Sequence, residues 1–293
     1  MATALITGIN GFTGRHLAEE LRSSGYTVMG LGREASVGVF RCDLLDRIGL
    51  ADVVAQVKPE VVIHLAAIAF VAHGDVDAIY RTNVVGTRNL LEAVAKSGCK
   101  PRSVLLASSA NIYGNATVEP IDETTLAAPA NDYAVSKLAM EYMARLWFDQ
   151  LPITMVRPFN YTGAGQSLNF LLPKIVDHFK RRAPVLELGN LDVVRDFSDV
   201  RSVVKRYRLL LEKEPAGEVF NVCSGLGYSL LEVLQMMREI SGYDPEIRVN
   251  PAFVRANEVH RLIGSRTKLD TVIGVVPDVP LRDTLKWMLE SSV

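Results

Sequence analysis

Three glycines spaced three apart, in Thr7-Gly8-Ile9-Asn10-Gly11-Phe12-Thr13-Gly14, stand between a short apolar run and an amphipathic stretch. The run Thr3–Thr7 reads as a buried strand. Arg15–Ser24 sets Leu17, Ala18 and Leu21 on one helical face, and Gly25 is placed to stop that helix. Gly8 permits a tight turn, Gly11 lets the backbone approach a bound group, and Gly14 lets helix and strand pack closely. The first helical turn then offers unpaired N–H groups to an anion. Strand, glycine turn and helix in this order, within about 30 residues, point to a dinucleotide-binding βαβ unit. The spacing is G-x-x-G-x-x-G rather than the commoner G-x-G-x-x-G.

The rest of the first half repeats the alternation. Thr27–Leu31, Val61–Leu65 and Val104–Ala107 are short runs of nearly continuous apolar residues, and Asn83–Ser97 has helical spacing between the last two. Strands apolar on both faces belong to a parallel sheet covered by helices, so the expected fold class is α/β, a doubly wound Rossmann-like parallel sheet. Beyond Pro158 the pattern turns irregular, with Gly163, Gly165, Pro173 and Pro184 interrupting short helices. Val219–Val222 reads as one more buried strand, followed by a helix from about Leu230 to Ile240. Residues 1–157 with about 191–224 are expected to form the cofactor domain. About 158–190 with 225–293 would form a smaller α/β C-terminal lobe that receives the substrate.

Charge and length remove several classes. The 293 residues carry 32 Lys+Arg against 33 Asp+Glu, a net charge of −1, which gives no basic excess for nucleic acid. The longest nearly apolar stretch, Val61–Ala72, holds His64 and falls well short of the roughly 20 residues that span a bilayer. MATALITG lacks a basic segment followed by a long apolar core, so no secretory signal is expected. Cys42, Cys99 and Cys223 are odd in number and scattered, which suits reduced thiols in the cytoplasm and suggests no metal site.

Two local patterns carry chemistry. Leu31-Gly32-Arg33 ends the second strand with Arg33 where an acid would bond a ribose 2′-hydroxyl. Arg suits a 2′-phosphate, so NADP(H) is favoured, with NAD(H) kept open because Glu34 follows and Arg33 also fits a solvated surface. In Tyr133-Ala134-Val135-Ser136-Lys137 the phenol and the ammonium share one helical face. An ammonium there is expected to lower the phenol pKa from about 10 and make Tyr133 a usable acid or base. Ser108-Ser109-Ala110, at the end of the Val104–Ala107 run, would bring a hydroxyl beside Tyr133. His64 reads as a satisfied core histidine, and Asn83 as a brace for the sheet.

TGINGFTG, CDLLD, HLAA, NVVGT, SSANIYG, YAVSK and RPFN, in order over residues 7–160, resemble the extended short-chain dehydrogenase/reductase family in its nucleotide-sugar branch. The resemblance implies Ser109, Tyr133 and Lys137 as the catalytic triad. It also implies cofactor contacts from Gly8, Asn10, Gly11, Phe12, Thr13, Gly14, Arg33, Asp43, Leu44, Leu65, Ala66 and Ala67, with Tyr133 and Lys137. Dehydratases of the branch carry an acid two residues after the catalytic hydroxyl. Asn111 stands there, and an amide cannot act as a base.

The second half is similar to the GDP-mannose branch in LGNLDVVRDF (188–197), FNVCSG (220–225) and RANEV (255–259). It resembles the reductases that act on GDP-4-keto-6-deoxy-D-mannose. The implied reaction is NADPH-dependent reduction at C4, giving GDP-D-rhamnose or GDP-6-deoxy-D-talose. Ser109 and Asn111 would meet the sugar, while Asn160, Lys174, Arg195 and Arg255 would hold GDP, with Glu258 on its ribose. Each Arg alone also fits a surface charge, and Arg195 beside Asp196 also fits an internal ion pair. An NAD-dependent nucleotide-sugar 4-epimerase is the nearest alternative, a GDP-mannose 4,6-dehydratase a weaker one, and a non-catalytic sensor or scaffold the alternative of another class. A homodimer through a four-helix interface is expected, with Leu138, Met140, Tyr142 and Met143 as its apolar surface.

Overall fold

The computed structural model describes residues 1–69, 74–253 and 259–291. The chain begins with β1 (Thr3–Thr7), α1 (Phe12–Ser23), β2 (Thr27–Gly32), β3 (Val39–Arg41), α2 (Arg47–Val57) and β4 (Val61–His64). A continuous helical rod follows: α3 (Val76–Tyr80), a π-helical segment Arg81–Gly86, then α4 (Thr87–Lys96). Next come β5 (Ser103–Ala107), α5 (Asp132–Arg145), β6 (Ile153–Pro158) and β7 (Asn160–Thr162). The last part holds α6 (Leu171–Lys180), β8 (Val185–Leu188), β9 (Val194–Asp199), α7 (Val200–Lys213), β10 (Val219–Val222), β11 (Gly227–Ser229), α8 (Leu230–Ser241), β12 (Glu246–Val249), β13 (Arg261–Leu262), α9 (Thr267–Ile273) and α10 (Leu281–Glu290).

Seven strands make one sheet in the order β10-β6-β5-β4-β1-β2-β3, all parallel. This is the expected Rossmann-like α/β fold. Its strands are apolar on both faces because both faces are covered. Leu17, Leu21, Val203 and Tyr207 pack on one side, and Leu50, Val54, Leu90, Leu91 and Met140 on the other. The order reverses between β1 and β4, and a doubly wound sheet opens its ligand crevice at that reversal, beyond the carboxyl ends of the strands.

Local signals set the helix starts. Asp46 Oδ1 accepts from Gly49 N at the head of α2, and Asn131 Oδ1 accepts from Ala134 N at the head of α5. The Asn131 cap fixes Tyr133 in the first turn of α5. Ser229 and Glu232 form a reciprocal capping box on α8. Pro173 does not interrupt a helix as the sequence suggested. It is the third residue of α6, where the first turn needs no N–H from it.

The smaller lobe has its own core of Leu172, Ile175, Phe179, Leu186, Leu230, Val233 and Leu285. Its sheets are short: β9, which falls in the 191–224 stretch expected with the cofactor domain, pairs with β7, β11 and β13 rather than with the main sheet, and β12 pairs with β8. Asp196 on β9 ties this lobe to the main sheet. Its carboxylate accepts from the backbone N–H groups of Ser224 and Gly225, both at 2.8 Å, just after β10.

Candidate active site

The glycine turn lies at the carboxyl end of β1, where the strand order reverses. Gly8 has φ +73°, and a Cβ there would stand 2.9 Å from Ala66 N, so at Gly8 the turn and the loop after β4 meet backbone to backbone. A Cβ on Gly14 would stand 2.2 Å from Gly8 O and 2.7 Å from Ile9 Cα. The turn therefore leaves a backbone-lined cradle before the first turn of α1, whose start has no side-chain cap. That cradle fits a pyrophosphate. Gly14→Ala is expected to destabilise the fold by about 1–3 kcal/mol and to abolish dinucleotide binding. Thermal unfolding and cofactor fluorescence titration check both; tight binding by the variant would contradict the cradle.

The other cofactor candidates surround this turn. Ala66 N donates to Thr7 Oγ1 (3.2 Å). The Thr7 hydroxyl meets His64 Nδ1 at 2.7 Å, and His64 Nε2 meets Thr87 Oγ1 at 2.8 Å. Thr87 donates to Asn83 O (2.7 Å), so its oxygen accepts from His64 Nε2–H, and Nδ1 accepts from Thr7. Burial, followed by the Lys137 charge, lowers the His64 pKa to about 3, so the imidazole is neutral. His64 is thus a satisfied core histidine. Asn83 bonds Ile68 N, Ile68 O and Ser136 Oγ, bracing the loop after β4 against α5. Arg33 and Asp43 are exposed beyond β2 and β3, while Leu44 buries its side chain against Gly86. Thr13 Oγ1 lies 2.7 Å from Tyr161 OH, and Phe12 stacks on the Tyr161 ring.

Ser109, Tyr133 and Lys137 converge beside β5. Ser109 caps the short turn Ala110–Tyr113 by accepting from Asn111 N (3.2 Å). Lys137 is buried, and its Nζ donates to Ala107 O at 2.7 Å. The electrostatics correct one expectation. Tyr133 is pushed up to about 12, chiefly by burial and also by Tyr161, while Ser109 works the other way. Lys137 does not lower it. Its ammonium faces the Ala107 carbonyl, and burial lowers the Lys137 pKa to about 8, partly offset by Glu141. Tyr133 is therefore a protonated phenol at neutral pH, suited to give a proton rather than to take one.

Beneath this set lies a buried network that the sequence did not single out. Arg157 on β6 clamps Glu141 of α5 through Nε (2.9 Å) and Nη2 (2.7 Å), and Ser108 donates to Glu141 Oε1 (2.5 Å). Arg157 Nη1 donates to Tyr113 OH (2.8 Å), which donates to Asn221 Oδ1 (2.8 Å). Two signals pointed there: a carboxylate four residues beyond Lys137, and an Arg closing an apolar strand.

The substrate-side candidates are spread over the lobe. Lys174 lines a hollow of about 330 Å³ with His178, Val185, Glu187, Arg248 and Phe253. Its Nζ stands 4.2 Å over the Phe253 ring. Arg248, also on this hollow, is paired with Glu246 through Nε (2.8 Å) and Nη2 (3.0 Å). Asn160 is exposed at the start of β7. Arg195 lies on β9, outside that hollow's lining, and its Nη1 donates to Val194 O and His260 O. Asp196 beside it spends its carboxylate on Ser224 and Gly225 rather than forming the internal pair considered from sequence. Arg255 and Glu258 lie outside the described residues.

A model of the NAD dependent epimerase/dehydratase family matches residues 4–223. The chain belongs to this family. It is an enzyme of the extended short-chain dehydrogenase/reductase type, in the nucleotide-sugar branch. A GDP-6-deoxy-D-talose 4-dehydrogenase of Aggregatibacter actinomycetemcomitans is 36% identical over 92% of this chain and 90% of its own. A GDP-6-deoxy-D-mannose reductase of Pseudomonas aeruginosa is 34% identical over 97% of this chain and 95% of its own. Among solved structures, a Burkholderia cenocepacia J2315 protein described as a candidate epimerase is 52% identical with a TM-score of 0.93, covering 99% of this chain and 97% of that one. RMD from Pseudomonas aeruginosa, complexed with NADPH, is 32% identical with a TM-score of 0.89, covering 99% and 98%. Among the described residues, no helix of this family member is long and apolar enough to cross a membrane.

Proposed function

We propose that the chain reduces the C4 ketone of a GDP-4-keto-6-deoxy-hexose with NADPH, giving GDP-D-rhamnose or its C4 epimer GDP-6-deoxy-D-talose. The observation that carries this is the Ser109–Tyr133–Lys137 set at the crevice, with Asn111 where dehydration would need an acid. Two relatives support it, since both names concern a GDP-6-deoxyhexose and oxidation or reduction. Family membership and the NADPH complex of RMD support a nicotinamide cofactor.

The turn Gly8–Gly14, with Asn10, Phe12 and Thr13, would hold the pyrophosphate. Arg33 would meet a 2′-phosphate, Asp43 and Leu44 would lie toward the adenine, and Leu65, Ala66 and Ala67 would line the groove. A bound reduced nicotinamide supplies the hydride. Ser109 and Tyr133 donate hydrogen bonds to the ketone oxygen, and Tyr133 gives its proton as that oxygen gains charge. Lys137 would hold the nicotinamide ribose through the hydrogens of its ammonium. Asn160, Lys174, Arg195 and Arg255 would surround the GDP, with Glu258 on its ribose. Planar guanidinium groups and an ammonium suit a diphosphate.

Turnover of GDP-4-keto-6-deoxy-D-mannose with NADPH, followed by NMR of the product, tests the reading and fixes the C4 configuration. One equivalent of NAD⁺ retained on the purified protein, with no NADPH consumed, would replace it with a 4-epimerase. A protein that binds cofactor and turns over neither substrate would be a sensor or scaffold.

Two further expectations follow from the geometry. Because Tyr133 stays protonated to about 12, the alkaline limb of kcat/KM belongs to Lys137. Below about 8 Lys137 is an ammonium, so kcat/KM should be level there and fall about tenfold per pH unit above. A plateau running to pH 10 would remove the charged Lys137 from the mechanism. A homodimer through α5 and the helical rod ending in α4 is the second expectation; Val85 in the π-helical segment, Val135 and Tyr142 in α5 and Leu146 just after it are exposed. Of the residues first considered for it, Met140 is buried and Leu138 and Met143 pack inward, which leaves Tyr142 outside. Sedimentation giving only monomer at micromolar concentration would refute the dimer.

A further inference from the structure

We infer that Glu141 is a positioning residue of the catalytic set, its carboxylate joining the Lys137 face of α5 to the Ser108–Ser109 turn. The inference rests on the reductase reading for the roles of Ser109, Tyr133 and Lys137. Tyr133, Lys137 and Glu141 follow one another at four-residue intervals, so all three share one helical stripe, and all three are buried. Glu141 is only 1% exposed, yet each carboxylate oxygen is bonded: Oε1 to Ser108 Oγ and Arg157 Nε, Oε2 to Arg157 Nη2.

Neither partner is incidental to the site. Ser108 precedes Ser109, so its bond to Glu141 pins the turn that carries the catalytic hydroxyl against the helix that carries Tyr133. Arg157 is anchored in turn by Tyr113 OH and the Glu123 carbonyl, which ties the clamp to the turn after Ser109 and to the loop before α5. A structural ion pair alone would not need to sit one turn beyond Lys137. The groups facing Lys137 are the Ala107 carbonyl, neutral His64 and Glu141, and Glu141 is the one whose charge favours the ammonium. Arg157 balances the carboxylate from β6, and Ser108 donates to it from the end of β5.

The test reads Lys137 directly. Protein labelled with ¹³Cε-lysine is titrated by NMR without cofactor, the Lys137 signal being assigned by its loss in Lys137→Met. Glu141→Gln is expected to lower the Lys137 midpoint by about one pH unit, and Glu141→Asp to restore part of it. The alkaline limb of kcat/KM should move down by the same amount, and kcat should fall more than KM rises. An unchanged Lys137 midpoint in folded Glu141→Gln overturns the inference. Should that variant not fold, Glu141→Gln/Arg157→Met removes both buried charges together, and the midpoint is expected to fall by less than in Glu141→Gln, because a nearby positive charge is lost with the carboxylate; no fall at all overturns the inference. The titration needs no turnover. An inactive wild-type protein would therefore sink the reductase reading without touching the measured link between Glu141 and Lys137.

Discussion

Replacing Tyr133 by Phe is expected to lower kcat by about 10²–10⁴-fold while the protein stays folded. Tyr133 is buried in the first turn of α5 and held there by the Asn131 cap. Phe keeps the ring and its packing and removes the one proton available to the forming alkoxide. The loss should therefore appear in kcat, with KM for the keto sugar nearly unchanged, because Ser109 still donates to the ketone and the lobe still holds the nucleotide. Steady-state kinetics beside a thermal unfolding curve separate the two effects. Activity within tenfold of the wild type would mean that another group gives the proton, and the assignment of Tyr133 would fall. The high phenol pKa strengthens the expectation. At about 12 the group is protonated across the working range, so the variant should be equally impaired at every pH rather than only at one end.

The grouping of Ser109, Tyr133 and Lys137 could be read from sequence because its parts obey short-range rules. Glycine spacing, an i, i+4 pair on a capped helix and a hydroxyl closing an apolar strand can each be read within a few residues. The strands of the main sheet were legible for a similar reason, since burial on both faces forces continuous apolar runs such as Val61–His64 and Val219–Val222. The lobe was not. Its strands β7, β11 and β13 are three, three and two residues long, too short for any period to show, and their pairing with β9 is set by tertiary contact. Glu141 and Arg157 were missed because they meet across 16 residues of sequence, and only the helix-to-strand packing brings them together. The direction of the Tyr133 shift was misjudged for a related reason. Spacing puts Lys137 on the same face, but burial and the Ala107 carbonyl decide what each group feels.

Acid should unfold this protein early, and His64 is the expected cause. The folded imidazole has its pKa lowered to about 3, against about 6.5 in the unfolded chain, because it is fully enclosed beneath the β1 turn. Between those values the unfolded state binds a proton that the folded state refuses, so stability rises with pH through this window. It is complete above about 6.5 and falls as pH drops toward 3, by about 4–5 kcal/mol over the whole interval at 1.36 kcal/mol per unit. Protonation would also make both ring nitrogens donors. Nδ1 could then no longer accept from Thr7, whose oxygen holds Ala66 N beside the Gly8 turn. The same proton thus attacks the fold and the packing of that turn together. Asp196, raised by burial, works in the opposite sense, so the effect of His64 must be read as a difference between variants. Urea unfolding at pH 7.0, 5.5 and 4.5, for wild type and His64→Gln, isolates it: Gln keeps a donor and an acceptor but does not titrate. The wild type should lose stability more steeply than His64→Gln, by about 1.4 kcal/mol per pH unit below 6.5. Parallel slopes would place the acid sensitivity elsewhere and leave His64 as packing alone.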